Sequence, residues 1–466
     1  MKTIDVGSVL DEGQWSGYQK LLILGTALTI ILDGIDNQLL GNAVPTLMKD
    51  WGLPRSAFTT PLGGVLALSP LGMMIGGAIG GLLGDRIGRR AALLMSVVSF
   101  AVFTVAIYTV HTVPMLGVLR FLAGLGLGGA MPNAAALSSE YVPRRQRPFA
   151  VTLTIVCIPL GGMLAGFVSG PVLEKFGWQV LFLGGGAVPL LLALLLFFVL
   201  PESPRFLARQ RNRWPELIGL LQRMGHKVPR GAAFVESGAT GKDQPKASIG
   251  DLFAPGLARD TIGLFGSFFF CLLANYYAIF LLPVTLTGLG FTQTAASQSL
   301  GYWNLGGVIG AIAGALVIQR IGSRVTMLGM SLLAIGFAII LAGMSLKPGD
   351  PILLTIPLFG PITRLVLVFI VTGGLMNAVQ TTMYALAANV YPTAIRGTGI
   401  GTALAVGRIG NVLASFVANF ALDKGGVPGY FWAFAITMAL AFISLSVIHR
   451  HVERTAGQPV AAAAGH

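Results

Sequence analysis

An all-α membrane protein, with twelve transmembrane helices in two six-helix halves related by an internal repeat, is the fold class the sequence predicts. Three observations support it. The 466 residues are 54% hydrophobic and only 11% charged, against about a quarter charged in ordinary globular chains. Twelve apolar blocks run through the chain, each long enough to cross a bilayer at roughly 20 residues. A short basic motif also recurs, once in each set of six blocks.

The blocks fall near 20–45, 58–84, 90–110, 113–139, 148–172 and 178–200, then 261–285, 294–318, 324–345, 365–388, 397–421 and 428–448. The first carries two carboxylates within ILDGIDNQLL (31–40), and the fourth carries a lone Arg120 among glycines. Between the sixth and seventh lies a polar, basic stretch. Its Arg/Leu-rich part, 205–224, is expected as an amphipathic helix on the membrane surface. The organisation is therefore an N-terminal bundle (1–200), a cytoplasmic linker (201–260), a C-terminal bundle (261–450) and a cytoplasmic tail (451–466).

An even number of spans puts both termini on one side, and the basic residues say which. Of the 31 Lys and Arg, 23 lie in the loops, linker and tails on the side of the termini, six lie opposite, and two lie within spans. Lys and Arg beside spans are retained in the cytoplasm, so both ends are expected there, in a bacterial inner membrane. The net charge of +13 is then mostly topology and does not imply a nucleic-acid partner. The polar first twenty residues and the sequence NAVPTL after the first block do not fit a cleaved signal peptide. Cys157 and Cys271 fall inside spans as small buried hydrophobes. The five histidines lack metal-ligand spacing, so no metal and no cofactor is expected.

The repeat is explicit. GDRIGRR (84–90) aligns with IQRIGSR (318–324): Arg86, Gly88 and Arg90 match Arg320, Gly322 and Arg324, while Asp85 becomes Gln319. Pro143 with Arg147 aligns with Pro392 and Arg396 at an offset 15 residues larger, which points to 351–364 as an insertion on the external side. Twelve spans in two halves, GDRIGRR and its degenerate copy, and PESPRFL (201–207) after the sixth span resemble the major facilitator superfamily. Within it, DGID (33–36), RFLAGLGLGGAMPN (120–133) and GRIG (407–410) resemble the aromatic acid:proton symporters. The sequence departs from that pattern at LLPVTL (281–286) and Thr402.

Only Asp33, Asp36, Arg120 and Arg408 place charge well inside spans, where ionisable groups are expensive and mark function. Asp33 and Asp36 share one helical face. At ~1.5 Å per residue they stand roughly 20 and 24 Å above the cytoplasmic end, and Arg120 stands about 30 Å above it. Depth therefore pairs Arg120 with Asp36 and leaves Asp33 as the proton carrier. Arg408 lies about 18 Å deep by the same rise, and the spans of its half contain no acidic side chain. Its planar fork suits a carboxylate that comes and goes. Asn275, Tyr276, Tyr277, Trp303, Asn304, Asn377, Gln380 and Tyr384 on the seventh, eighth and tenth helices could sandwich an aromatic ring and read its hydroxyls; packing aromatics and polar glue are the alternative for each residue taken singly.

Gly76, Gly77, Gly80 and Gly81 on the second helix and Gly124, Gly126, Gly128 and Gly129 on the fourth allow close helix approach. At the cytoplasmic turn, Gly84, Asp85, Arg86, Gly88, Arg89 and Arg90 form the gate motif, with Arg89 or Arg90 expected to meet Glu140. The superfamily resemblance implies a lock on the cytoplasmic gate, strong in the first copy and weak at Gln319.

The reading is a monomeric, proton-coupled importer of a small aromatic carboxylate, of benzoate or hydroxybenzoate type, working by alternating access. Its partners are the acid, protons and the lipid bilayer. An importer of an aliphatic organic acid or a sugar is one alternative. A proton-coupled drug or anion antiporter is another, because GFVSGP (166–171) partly resembles the antiporter signature. No nucleophile constellation or pore-lining repeat suggests an enzyme or a channel.

Overall fold

A computed structural model describes residues 3–13, 15–59, 64–226, 228–229, 232–235, 248–356, 360–392 and 395–452. Most of the tail expected at 451–466, and 236–247 of the linker, lie outside the described residues. Among the described residues, ten helices are long and apolar enough to cross a membrane. Spans one to four are Gly17–Trp51, Val65–Ile87, Arg89–Ala106 and Val113–Tyr141; spans seven to ten are Ala258–Gly288, Gln293–Ile321, Ser323–Gly343 and Arg364–Val390. The remaining two helices, Arg147–Val199 and Arg396–Val447, are each double. They break at Gly177 (φ 81°) and Gly426 (φ 59°), in backbone conformations that suit a residue without Cβ. Spans five and six (147–176, 178–199) and eleven and twelve (396–425, 427–447) complete the twelve.

Local chemistry sets several boundaries. Thr292 and Thr363 accept from the amides of Ala295 and Val366, capping spans eight and ten. Span two begins at Val65, later than the apolar block at 58, because a short helix, Ser56–Thr59, intervenes. The expected insertion forms an antiparallel pair, Ile352–Ile356 with Gly360–Thr363.

The chain divides into two compact units. The first comprises residues 1–40, 68–165 and 172–246; the second comprises 41–67, 166–171 and 247–466. In the first unit, spans two and four cross at glycine: a Cβ on Gly76 would stand 2.0 Å from the Leu125 carbonyl oxygen. Without side chains at the crossing, the backbones approach and van der Waals contact holds them.

The linker corrects one expectation. Helix Trp214–Arg223 buries Leu217, Leu220 and Leu221 in one cluster with Val6, Leu10, Leu207, Met224 and Phe234, so its apolar face is covered by protein and not by lipid. The N-terminal strand Thr3–Asp5 pairs in parallel with Ala233–Val235 across the same cluster.

Candidate transport site

The acidic face of span one lies in the first unit. Gly34, between the two acids, gives span five its approach, since a Cβ there would meet the Ile158 carbonyl oxygen at 2.4 Å. Asp36 is fully buried and Arg120 1% exposed. Arg120 Nη1 donates to Asp36 Oδ2 at 3.0 Å, and Nη2 donates to the Asp36 carbonyl at 3.2 Å. The Thr104 hydroxyl donates to Asp36 Oδ1 at 2.6 Å, and Ser69 Oγ accepts from Arg120 Nη2 at 3.5 Å. Both carboxylate oxygens are thus occupied, which offsets the cost of burying the charge. Asp33 is also buried, 5% exposed, one turn nearer the N-terminal end of the helix. Thr104 and Ser69 were not legible as partners, because hydroxyls within spans usually bond their own helix.

The second unit holds the expected ring-binding set. On span ten, Asn377, Gln380 and Tyr384 recur at three and four residues and share a face. Arg408 lies on span eleven, half-buried, and Tyr384 packs edge-on against Phe268 with centroids 5.6 Å apart. Asn377 is buried and donates to the Gly373 carbonyl at 2.9 Å. Its amide nitrogen stands 2.8 Å from where a Cβ on Gly307 would be, so spans eight and ten touch there. Gln380 is half-buried, and its Oε1 has no partner among the described residues.

Trp303 packs on span ten at Gly373, whose carbonyl accepts from Asn377. Its ring packs edge-on against Phe434 at 5.5 Å, and its Nε1 has no partner among the described residues. Tyr277 is committed: its hydroxyl donates to the Tyr430 carbonyl at 2.8 Å, and the Tyr430 hydroxyl donates back at 3.0 Å. The Tyr277 ring is fully buried as well, its centroid 4.5 Å from that of Tyr430, so the structure does not offer it to a ligand. Tyr276 packs on Phe280 with centroids 5.3 Å apart, Asn275 is buried, and Asn304 donates to the Leu300 carbonyl at 2.8 Å. Two residues went unnoticed, Asn411 and Ser415, buried three and seven positions after Arg408. Their signal was that spacing.

At the GDRIGRR turn, Gly88 (φ 106°) separates spans two and three. Asp85 and Arg89 pair at 2.5 Å, and Arg89 Nε lies 3.8 Å from Glu140 Oε1. Arg90 goes elsewhere, its amide donating to Glu202 Oε1 at 3.0 Å and its guanidinium covering the Phe197 ring. Arg86 is exposed. Gly84 faces Asn133, whose Oδ1 would stand 1.9 Å from a Cβ. Glu202, buried in the PESPRFL segment, also accepts from the Ser203 amide, and the Ser203 hydroxyl donates to Glu140. A polar cavity of about 270 Å³, lined by Asp85, Arg89, Glu140, Arg147, Arg205 and Arg209 among others, opens here. In the second copy the Ser323 amide donates to the Val452 carbonyl at 2.9 Å, so the residues after span twelve hold this turn as Glu202 holds the first.

Residues 26–359 match the Major Facilitator Superfamily. The chain is 32% identical over 445 residues to a gallate transporter of Pseudomonas putida, covering 94% of each chain. It is 32% identical over 444 residues to the 4-hydroxybenzoate transporter of Acinetobacter baylyi, covering 95% of this chain and 92% of that one. With the benzoate transport protein of the same species it shares 29% identity over 455 residues, covering 96% and 93%. Among solved structures, the inward-open xylose transporter from E. coli superposes with a TM-score of 0.69 at 20% identity, covering 93% of this chain and 97% of that one, an agreement of fold. These matches, with the twelve spans and the paired glycine–arginine turns, make the chain a membrane transporter of the major facilitator superfamily, matching its aromatic acid:proton symporter family.

Proposed function

We propose that this protein couples the inward movement of protons to uptake of a small aromatic carboxylate, as a monomer in a bacterial inner membrane with both termini in the cytoplasm. The observation that carries the reading is the division between the two acids of span one. Asp36 is held by Arg120 and Thr104, which supports giving the movable proton to the other acid of that face, Asp33. Arg408 takes the substrate carboxylate, and the aromatic and amide groups of spans seven, eight and ten take the ring. A proton on Asp33 then offsets the anion's charge. The relatives support the substrate class, since gallate, 4-hydroxybenzoate and benzoate are each one ring bearing one carboxylate.

The glycines of GFVSGP have a packing explanation that does not require antiport. A Cβ on Gly166 would stand 2.3 Å from Gly301 Cα, and one on Gly170 2.6 Å from Thr294 Cα. Uptake of labelled benzoate, 4-hydroxybenzoate and gallate into vesicles, with acid imposed outside, tests the proposal. Accumulation that collapses with a protonophore is the expected result. Accumulation unaffected by the gradient, or stronger uptake of lactate, succinate or xylose, refutes it.

A further inference from the structure

Span eleven carries a polar stripe of which the proposed function uses only one end. Arg408, Asn411, Ser415, Asn419 and Asp423 recur at steps of three, four, four and four, and every other residue from 409 to 422 is apolar or glycine. At 3.6 residues per turn the five lie along one face, over about 22 Å of helix. In the middle, Asn411 and Ser415 are 4% and 0% exposed, and neither Asn411 Oδ1 nor Ser415 Oγ has a partner among the described residues. Buried polar atoms normally find a partner, so an exception calls for an explanation such as a ligand or ion that visits.

At the other end the stripe meets a third chain segment, still within the second unit. Arg55, from the connection between spans one and two, donates from Nε to Asn419 Oδ1 at 2.7 Å and from Nη2 to Asp423 Oδ1. Asn419 Nδ2 in turn donates to Asp423 Oδ2 at 2.9 Å. The Arg55 and Asp423 side chains are 26% and 51% exposed, so a solute can reach them.

We propose that Arg55 is an outer anion site, which takes the carboxylate of the incoming aromatic acid in place of Asp423 before the acid passes along the span-eleven stripe to Arg408. This rests on the substrate class and orientation proposed above. The two oxygens of an aromatic carboxylate match the Nε/Nη2 edge of the guanidinium, where Asn419 Oδ1 and Asp423 Oδ1 are bound, so one planar acid replaces both partners. An exposed ion pair is held weakly enough for a solute to compete. Exchange also frees the connection between spans one and two from span eleven. Arrival of the substrate and release of that segment are therefore one event.

The test is initial-rate uptake of labelled 4-hydroxybenzoate into right-side-out vesicles by wild type, Arg55→Ala, Arg55→Lys and Asp423→Asn. Arg55→Ala raises KM about three- to tenfold with a smaller change in maximal rate, Arg55→Lys falls between, and Asp423→Asn leaves KM at or below the wild-type value because the competitor is gone. A clasp that served only as a gate would respond alike to loss of either partner. A KM that rises in Asp423→Asn as well, or stays unchanged in Arg55→Ala, overturns the outer site. Should Arg55→Ala fail to reach the membrane, the comparison of Arg55→Lys with Asp423→Asn makes the same decision. Absence of 4-hydroxybenzoate uptake by wild type would instead refute the substrate reading, and labelling of Ser56→Cys by an impermeant maleimide still reads the clasp: it rises with added benzoate if Arg55 exchanges partners and stays constant if it does not.

Discussion

Arg120 and Asp36, 84 residues apart in sequence, meet at 3.0 Å with side chains 1% and 0% exposed. Opposite charges so deeply buried stabilise each other chiefly by avoiding the cost of either one alone. Loss of one partner is then worse than loss of both. Asp36→Asn and Arg120→Ala should each lower stability by about 3–5 kcal/mol, read as a large fall in thermal midpoint in detergent. Asp33→Asn, outside that pair, should fold normally, lose gradient-driven accumulation and retain substrate exchange. Normal accumulation by Asp33→Asn would move the proton elsewhere.

The anion site makes a separate prediction. Arg408→Ala should weaken binding by several kcal/mol, since a desolvated carboxylate loses its partner, and Arg408→Lys should recover only part because the fork is gone. Benzoate should compete for uptake while benzamide and benzyl alcohol do not. Equal competition by uncharged rings would remove Arg408 from the site.

The gate motif has an internal ranking. Asp85 is 65% exposed, so Asp85→Asn should cost no more than about 1 kcal/mol of stability. Buried Glu202 accepts from two backbone amides, and Glu202→Ala should cost roughly 3 kcal/mol. Gln319→Ala should be nearly silent. Thermal midpoints give the order, and cysteine accessibility at the cytoplasmic face should follow it; equal effects from Asp85 and Gln319 would contradict the asymmetry between the two copies.

The turn after span eight predicts a pH dependence. Burial holds the His451 imidazole below its ordinary value; Arg324 and His449 push the same way, while the Ile448 carbonyl and Asp260 oppose. His451 Nδ1 lies 3.1 Å from Ser323 Oγ in the docked form, where burial favours the neutral ring. A depressed histidine stabilises docking above its undocked value of about 6.5 and loses that contribution as pH falls through the lower docked value. Hydrogen exchange at the Ser323 and Val452 amides should accelerate on acidification beyond the intrinsic trend, and His451→Gln should abolish the excess.

The twelve spans were legible because the bilayer thickness dictates the length of every apolar run, and a local property can be read locally. The breaks at Gly177 and Gly426 fall inside the gaps between the expected blocks for the same reason. Even the Asp36–Arg120 pairing could be anticipated, since two charges confined to helices of known direction have few depths at which to meet. Elsewhere the choice among equivalent partners was tertiary. Nothing in the order of residues says that Glu202 rather than Glu140 receives the Arg90 amide, that Arg55 crosses 368 positions to reach Asp423, or that the leucines of Trp214–Arg223 cover the N-terminal strand instead of lipid. Composition and periodicity determine which faces must be buried and which charges must be neutralised. The folded chain decides by what, because a guanidinium or an apolar face accepts many partners, and only the packing of distant segments brings one of them within 3 Å.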